Sequence, residues 1–209
     1  MPDAQYRPET VRNVVFDLGG VVVNWDVDAV VRMIADDTDT RQRIKRDVLL
    51  HSDWLELDRG TFTEKEAVGR FAGRIGRSVE DVMEMMRMAD LSLTLKGGTV
   101  AIMRDLIERG YTLYCLSNMP VERWAYLQDT HDIWDMFEGI VISGHLKMVK
   151  PEPEIYHHLT HTYGLATQSC LFLDDAPHNV EGARAAGWQG LLFTTPEAGR
   201  TALAPLLGD

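Results

Sequence analysis

Polar side chains that can do chemistry stand at the ends of short apolar runs in this sequence. The run in "VVFDLGGVVVNWD" (residues 14–26) leads into an aspartate and a glycine pair, "LYCLSN" and "CLFLDD" also end on polar residues, and "MVKPEP" places a lysine just before a predicted helix. Alone, each residue is explained as a helix cap, a turn former or a solvated cation. Together they supply a nucleophile, a hydroxyl, an amide, a cation and an acidic pair. The set is Asp17, Ser117, Asn118, Lys150, Asp174 and Asp175.

These residue types suit the transfer of a phosphoryl group to a carboxylate. Asp17 is the predicted nucleophile, because a covalent aspartyl-phosphate splits one difficult step into two easier ones. A carboxylate repels a phosphate dianion, so a divalent cation has to lie between them, and Mg²⁺ prefers carboxylate, phosphate and water oxygens. Asp17 and Asp175 are the predicted Mg²⁺ ligands. Asp174 is predicted to belong to the same metal site and to support these ligands without direct contact with the ion.

The remaining polar residues are predicted to hold the phosphate. Ser117, the backbone of Asn118 and the ammonium group of Lys150 face the oxygens over which transition-state charge spreads, so Lys150 acts in catalysis as well as in binding. Gly19 and Gly20 let the backbone turn tightly beside the phosphate, which places Gly20 among the substrate-binding residues.

The elements that must position these residues alternate between short apolar runs and longer helical patterns. The runs are apolar on both faces, as buried parallel strands are. Ligands of an open α/β sheet bind beyond the carboxyl ends of such strands, where the polar residues stand. The sequence therefore predicts an α/β fold, a doubly wound, Rossmann-like parallel sheet between helical layers. The predicted strands are 13–17, 111–118, 139–143, 170–175 and 190–193.

One stretch lacks a strong strand signal and predicts a helical insertion after the first strand. Residues 25–95 are assigned to this inserted cap, and residues 1–24 and 96–209 to the catalytic core. In the cap, Val79, Val82, Met83 and Met86 recur at helical spacing, which favours a buried helix-bundle face. Trp25 and Trp54 are expected either to line the gap between cap and core or to pack in a hydrophobic core.

Composition narrows the partners and the location. The chain has 209 residues and a formal net charge of −11, and so acidic a surface does not favour nucleic acid or an anionic membrane. The expected partner is a small phosphorylated molecule. The N-terminal "MPDAQYRPET" is polar, and no apolar run approaches the roughly 20 residues that cross a bilayer. We expect a cytoplasmic protein with Cys115 and Cys170 as buried, reduced thiols.

The motifs "DLGGVV", "LSN", "KPEPEIY" and "FLDDAPHNVEGARAAG", in this order, resemble the haloacid dehalogenase-like hydrolase superfamily over nearly the whole chain. The resemblance implies that Asp17 is the nucleophile, that Ser117 and Lys150 bind phosphate, that Asp175 ligates Mg²⁺ and that the insertion is a C1-type cap. The stretch "DRGTFTEKEA" (58–67) and the form "DLGxV" resemble the bacterial glucose-1-phosphate phosphatases. A sugar phosphate is the substrate that this branch implies.

The main departure from the superfamily pattern is Gly19. Most phosphatases of the superfamily carry there a second aspartate, which protonates the leaving oxygen and later activates water. Glycine offers only its backbone carbonyl, which is the group that this position gives to Mg²⁺ in the superfamily. Loss of a positioned acid costs on the order of 10²–10⁴ in rate. Three outcomes follow: the substrate has a better leaving group, such as an anomeric sugar phosphate, another acid replaces the missing one, or the enzyme is slow. Asp26, His51 and Asp53, on or near the cap, are the candidates for a replacement acid.

Two other functions stay open on the sequence. The 2-haloacid dehalogenases of the superfamily also lack the second aspartate and need no metal. The resemblance then predicts a non-acidic fourth motif and an arginine shortly after the nucleophile, whereas this chain has Asp174 and Asp175 and no arginine between Asp17 and Arg32. A weakly active or non-catalytic phosphate-binding protein is the third possibility, and Gly19 is the argument for it.

Overall fold

The computed structural model describes residues 6–208, so the first five residues of the polar N-terminal stretch lie outside it. Its central feature is a five-stranded sheet in the order β3-β2-β1-β4-β5, in which every neighbouring pair is parallel. The predicted parallel α/β sheet is confirmed, and each predicted strand coincides with an observed one to within one residue at either end. The strands are β1 (Asn13–Phe16), β2 (Thr112–Ser117), β3 (Gly139–Ile142), β4 (Cys170–Asp174) and β5 (Gln189–Leu192).

The segment between β1 and β2 starts with a group of helices that share an apolar cluster of their own. A π-helical stretch (Lys45–Leu49) follows the second of them. The division of the chain at residues 24/25 and 95/96 stays a prediction. The helices are α1 (Val27–Ile34), α2 (Thr38–Ile44), α3 (Ser52–Arg59), α4 (Glu64–Ile75) and α5 (Val79–Leu91).

The predicted apolar face of α5 is only half right. Val82 and Met86 are buried in the cluster of the inserted helices together with Ala89. Val79 and Met83 are 46% and 58% exposed. The buried stripe is centred between Val82 and Ala89, and at about 100° per residue Met83 lies on the flank of that stripe rather than within it.

Helices cover both faces of the sheet because side chains of successive strand residues point to opposite sides. Val14 and Phe16 of β1 pack in one apolar cluster, and Val15 packs in another. Cys115 and Cys170 are buried and free, as predicted. Among residues 6–208, no helix combines the length and the hydropathy of a bilayer-spanning segment. The helices after the insertion are α6 (Gly97–Glu108), α7 (Val121–Thr130), α8 (Ser143–Leu146), α9 (Pro153–Tyr163), α10 (Pro177–Ala185) and α11 (Pro196–Leu207).

Candidate active site

The carboxyl ends of three neighbouring strands bring the polar residues together. β1 pairs in register with β2 and β4, so that Phe16 lies opposite Cys115 on one side and Leu173 on the other. The backbone N–H of Asp17 donates to the carbonyl of Leu173 at 2.9 Å, which holds Asp17 at the edge of the sheet. Ser117 and Asp174 end their own strands at the same edge.

Lys150 is the centre of this group. Its Nζ lies 2.8 Å from Asp17 Oδ1 and 2.7 Å from Asp174 Oδ2, and the residue is only 2% exposed. Burial acts to lower the pKa of Lys150, but Asp17 and Asp174 outweigh it and hold the pKa above its ordinary value. The ammonium group is therefore a fixed cation beside the carboxylate of Asp17.

Asn118 holds Lys150 through its side chain. The Asn118 Nδ2 donates to the Lys150 carbonyl at 3.0 Å, and the Lys150 N–H donates to Asn118 Oδ1 at 2.8 Å. Such a reciprocal pair fixes the backbone from which the ammonium group extends. The sequence pattern assigned only the Asn118 backbone to this region, so the side-chain contact is an addition from the structure.

The acidic pair divides into one buried and one exposed carboxylate. Asp174 is fully buried and accepts hydrogen bonds from Asn179 Nδ2, at 3.1 Å to each carboxylate oxygen, and from the Ala176 N–H at 2.8 Å. Asp175 is exposed, and carboxylate oxygens of Asp17, Asp174 and Asp175 lie within 4.8 Å of one another. Three oxygen donors at this spacing fit a hard divalent cation such as Mg²⁺.

The charge balance of the group also fits a cation. Burial raises the pKa of Asp17 to about 7, Lys150 opposes this rise, and the charges of Asp174 and Asp175 add to it. Asp175 is exposed as a residue, but the partial burial of its carboxyl group, followed by the charge of Asp174, raises the pKa of Asp175 as well. Three carboxylates thus face one ammonium group, and a bound divalent cation stabilises their ionised forms.

Gly20 gives Asp175 room to approach. Its φ is +79°, and a Cβ at this position would lie 2.2 Å from Asp175 Oδ2. The backbone conformation therefore favours glycine, and a larger residue here would push the Asp175 carboxylate away. The predicted place of Gly20 beside the site is consistent with this geometry, although its role toward phosphate stays a prediction.

We expect Gly20→Ala to displace the Asp175 carboxylate and to weaken Mg²⁺ binding by at least about tenfold, with a loss of stability of roughly 1–2 kcal/mol from the strained backbone. Calorimetric titration with Mg²⁺ and thermal unfolding measure the two effects. Gly73→Ala is the matched control, because Gly73 lies in α4 with open space around its Cβ position. It should leave Mg²⁺ binding unchanged and slightly stabilise the helix. Unaltered Mg²⁺ binding in Gly20→Ala would contradict the assignment of Asp175.

A small cavity of about 60 Å³ adjoins this group between the sheet edge and the inserted helices. Trp25 and Trp54 stack in its wall with their ring centroids 5.7 Å apart, and Trp54 also packs in the apolar cluster of the inserted helices. Both expectations therefore hold for both tryptophans, because Trp25 also packs against the same apolar cluster. The full lining is Gly19, Trp25, Trp54, Asp58, Leu93, Asn118, Met119 and Arg123.

None of the three sequence candidates for the missing acid lines this cavity. Asp26 is exposed, and its carboxylate caps α1 by accepting from the N–H groups of Asp28 and Ala29. His51 caps α3. Asp53 forms an ion pair with Arg74, whose hydrogen bond lowers the pKa of the Asp53 carboxyl. Proximity to the cap in sequence did not place these side chains at the strand ends.

Two residues that line the cavity are not marked by any of the sequence motifs. Asp58 begins the stretch "DRGTFTEKEA", but nothing within that stretch distinguishes it from the other acids. Arg123 lies in α7, is 4% exposed, and uses its Nε to bind Asp90 Oδ1 at 2.7 Å. Its buried Nη2 has no hydrogen-bond partner within residues 6–208. No local sequence signal separates Arg123 from an ordinary surface arginine of a helix.

A parallel five-stranded sheet with helices on both sides, carrying carboxylates and a buried lysine at its strand ends, is a Rossmann-like α/β fold with a candidate site at its carboxyl edge. The sequence profile of haloacid dehalogenase-like hydrolases matches residues 11–187. The chain belongs to this family, as the sequence motifs predicted.

Individual relatives include phosphatases. The chain is 26% identical to the sesquiterpene phosphatase astK of Aspergillus oryzae, over 95% of this chain and 98% of the relative. It is 25% identical to a D-ribitol-5-phosphate phosphatase of Bacteroides thetaiotaomicron, over 86% of this chain and 90% of the relative. A crystal structure of the HAD family enzyme bt-2542 from the same bacterium, in complex with magnesium and inorganic phosphate, superposes with a TM-score of 0.68. That match has 23% identity and covers 87% of this chain and 93% of the other, and it shows a common fold.

Proposed function

We propose that this hydrolase is a Mg²⁺-dependent phosphatase that cleaves a small phosphomonoester through an aspartyl-phosphate on Asp17. The observation that carries the proposal is the buried Lys150 between Asp17 and Asp174, with Asp175 completing an oxygen cluster at the strand ends. The phosphatase names of two relatives support it, and so does the magnesium and phosphate complex of a protein with the same fold.

The oxygens of Asp17 and Asp175 are the proposed ligands of Mg²⁺, together with the backbone carbonyl of Gly19. Asp174 holds Lys150 and stands beside the other two carboxylates. When bound, the metal ion neutralises charge on the nucleophile and on the phosphate and so lowers the repulsion between them.

Each residue of the chain then has a role in the two displacements. The Asp17 carboxylate attacks phosphorus, and the bond from phosphorus to the leaving oxygen breaks. Lys150, the Ser117 hydroxyl and the backbone of Asn118 bind the other phosphate oxygens, and the fixed position of Lys150 provides this without reorganisation. Water then cleaves the aspartyl-phosphate, and Asp17 is restored.

The cavity favours a polar leaving group, and we propose a sugar phosphate. The unpaired Nη2 of Arg123 and the carboxyl of Asp58 need hydrogen-bond partners when water is excluded. Hydroxyl groups of a sugar supply them, and the rings of Trp25 and Trp54 supply an apolar surface for its carbon skeleton. A terpene chain like the one named for the Aspergillus relative would leave both polar groups without partners.

Phosphate release from p-nitrophenyl phosphate, D-ribitol 5-phosphate, glucose 1-phosphate and glucose 6-phosphate tests this function. With Mg²⁺ we expect turnover of at least one sugar phosphate, and EDTA should reduce it by at least about 10²-fold, because the metal contributes several kcal/mol of transition-state stabilisation. Readdition of Mg²⁺ should restore the rate. EDTA-resistant turnover would contradict the metal assignment.

The same panel separates the other two functions. A dehalogenase would release chloride from a 2-haloacid without metal, but in a metal-free site Asp174 and Asp175 repel a carboxylate substrate as well as the nucleophile. Absence of phosphate release from all four phosphates would overturn the proposed phosphatase function. Chloride release would then identify a dehalogenase, and Mg²⁺ and phosphate binding without turnover would identify a binding protein.

A further inference from the structure

Asp58 is a buried carboxylic acid in the wall of the cavity that also contains Gly19. It lies in the last turn of α3, is 9% exposed, and its side chain makes no hydrogen bond or ion pair with any of residues 6–208. A largely buried carboxyl group that makes no hydrogen bond within the protein takes its hydrogen-bond partners from whatever fills the cavity. Perturbed, unpartnered acids of this kind in a cleft are typical of functional sites.

We propose that Asp58 is the general acid and base of the hydrolysis, supplying from α3 the proton transfer that residue 19 lacks the side chain to perform. The proposal rests on the phosphatase function proposed above. In the first step the Asp17 oxygen bonds to phosphorus, the leaving oxygen departs, and that oxygen takes the proton of Asp58. In the second step a water oxygen bonds to phosphorus, the bond from Asp17 to phosphorus breaks, and the water proton passes to Asp58. Both aspartates are thereby restored.

The core holds the backbone of Asp58 directly. Ser143 is the first residue after β3, and its hydroxyl donates to the Asp58 carbonyl at 2.5 Å. The Ser143 hydroxyl oxygen also accepts a hydrogen bond from the Met119 N–H at 2.8 Å. Met119 follows Ser117 and Asn118 at the end of β2. One buried hydroxyl therefore links the backbone of Asp58 to the backbone that follows β2.

The next two residues of the chain dock the end of α3 on the core. Arg59 forms a bidentate ion pair with Glu152, at 2.8 and 2.7 Å, and Glu152 also accepts the Val149 N–H at 3.1 Å. Gly60 has φ +78°, and a Cβ there would lie 2.5 Å from the Gly144 carbonyl, so the two backbones touch. A catalytic group needs such rigid support to keep its geometry. The loop that carries Lys150 is thus fixed to the helix that carries Asp58.

The protonation state of Asp58 agrees with this role. Burial raises the pKa of Asp58 to about 8, the charge of Asp17 adds to the rise, and Arg123 and Lys150 oppose it. At neutral pH the carboxyl is therefore largely protonated, which is the form that donates a proton to a leaving oxygen. A pKa near the working pH also lets the same group accept a proton in the second step.

Asp58→Asn tests the assignment, because asparagine keeps the volume and cannot transfer the proton. On the faster of D-ribitol 5-phosphate and glucose 6-phosphate we expect kcat/KM to fall by about 10²–10⁴-fold, since an alkoxide leaves poorly without a proton. On p-nitrophenyl phosphate, whose phenolate leaves without help, kcat/KM should fall by less than about tenfold. The slow second step should then appear as a burst of about one nitrophenol per enzyme.

A second variant asks whether an acid at residue 19 replaces Asp58. The Cβ position of Gly19 has its nearest neighbour, Trp25 Cβ, at 3.6 Å, which is ordinary contact distance, and its backbone does not require glycine. Gly19→Asp in the Asp58→Asn background should recover at least about tenfold of the lost rate on the alkyl phosphate.

Asp36→Asn is the control, because Asp36 is an exposed aspartate between α1 and α2. It should leave kcat/KM unchanged on both substrates. The assignment is overturned if Asp58→Asn lowers kcat/KM equally for both substrates or for neither. Wild-type turnover would still support the phosphatase in that case. A wild-type protein that hydrolyses none of the four phosphates of the panel overturns the phosphatase and this assignment together. Thermal unfolding of Asp58→Asn within about 3 °C of wild type shows that the fold is kept.

Discussion

Asp17→Asn should reduce phosphate release by at least about 10⁴-fold with the fold intact, because the amide cannot form the covalent intermediate. The position of Asp17 explains why the loss should be so complete. It directly follows β1, its N–H is paired with Leu173, and its carboxylate lies 2.8 Å from Lys150 Nζ. No other carboxylate among residues 6–208 shares this placement after the central strand.

Turnover by the preferred phosphate of the panel and thermal unfolding, measured on the same preparation, check this result. Lys150 keeps Asp174 as a partner in the variant, so the buried ammonium group is not left alone. Asp36→Asn, the same chemical change at an exposed site, should behave as wild type. Retention of more than about 1% of the activity in Asp17→Asn would rule out Asp17 as the nucleophile.

Lys150→Met should lower the free energy of unfolding by about 3–5 kcal/mol, because it leaves Asp17 and Asp174 buried without their shared cation. The methionine fills most of the volume, so the loss is electrostatic rather than a cavity effect. Phosphate release should fall with it, since the ammonium group is the fixed cation at the predicted phosphate site. Urea denaturation of the metal-free protein measures the stability change.

Lys147→Met is the matched control for this experiment. Lys147 lies three residues earlier, is exposed, and makes no hydrogen bond or ion pair with its side chain within the described part of the chain. The same substitution there should change the free energy of unfolding by no more than about 0.5 kcal/mol. A loss below about 1 kcal/mol in Lys150→Met would show that the two carboxylates are not held ionised by this lysine.

Local patterns in the sequence were sufficient for the sheet and for the residues at its edge. Short runs that are apolar on both faces have few other uses than as buried parallel strands, and the polar residue that ends each run falls at the carboxyl edge by topology. Asp17, Ser117, Asp174 and Asp175 are therefore placed at that edge by the sequence pattern alone. The buried face of α5 is not determined by the sequence pattern, because Met83 and Met86 are equally apolar. Only packing against the neighbouring helices buries Met86 and leaves Met83 exposed.

The sequence by itself determined the parallel fold, the family and the strand-end residues, since all of these follow from periodicity and motifs along the chain. The tertiary structure alone decided which acid of the inserted helices lines the cavity that also contains Gly19. Asp26, Asp53 and Asp58 are alike in sequence, but one caps a helix, one binds Arg74, and one is buried beside Gly19. That difference comes from how the end of α3 docks on Ser143 and Glu152, which are distant in the chain and meet it only after folding.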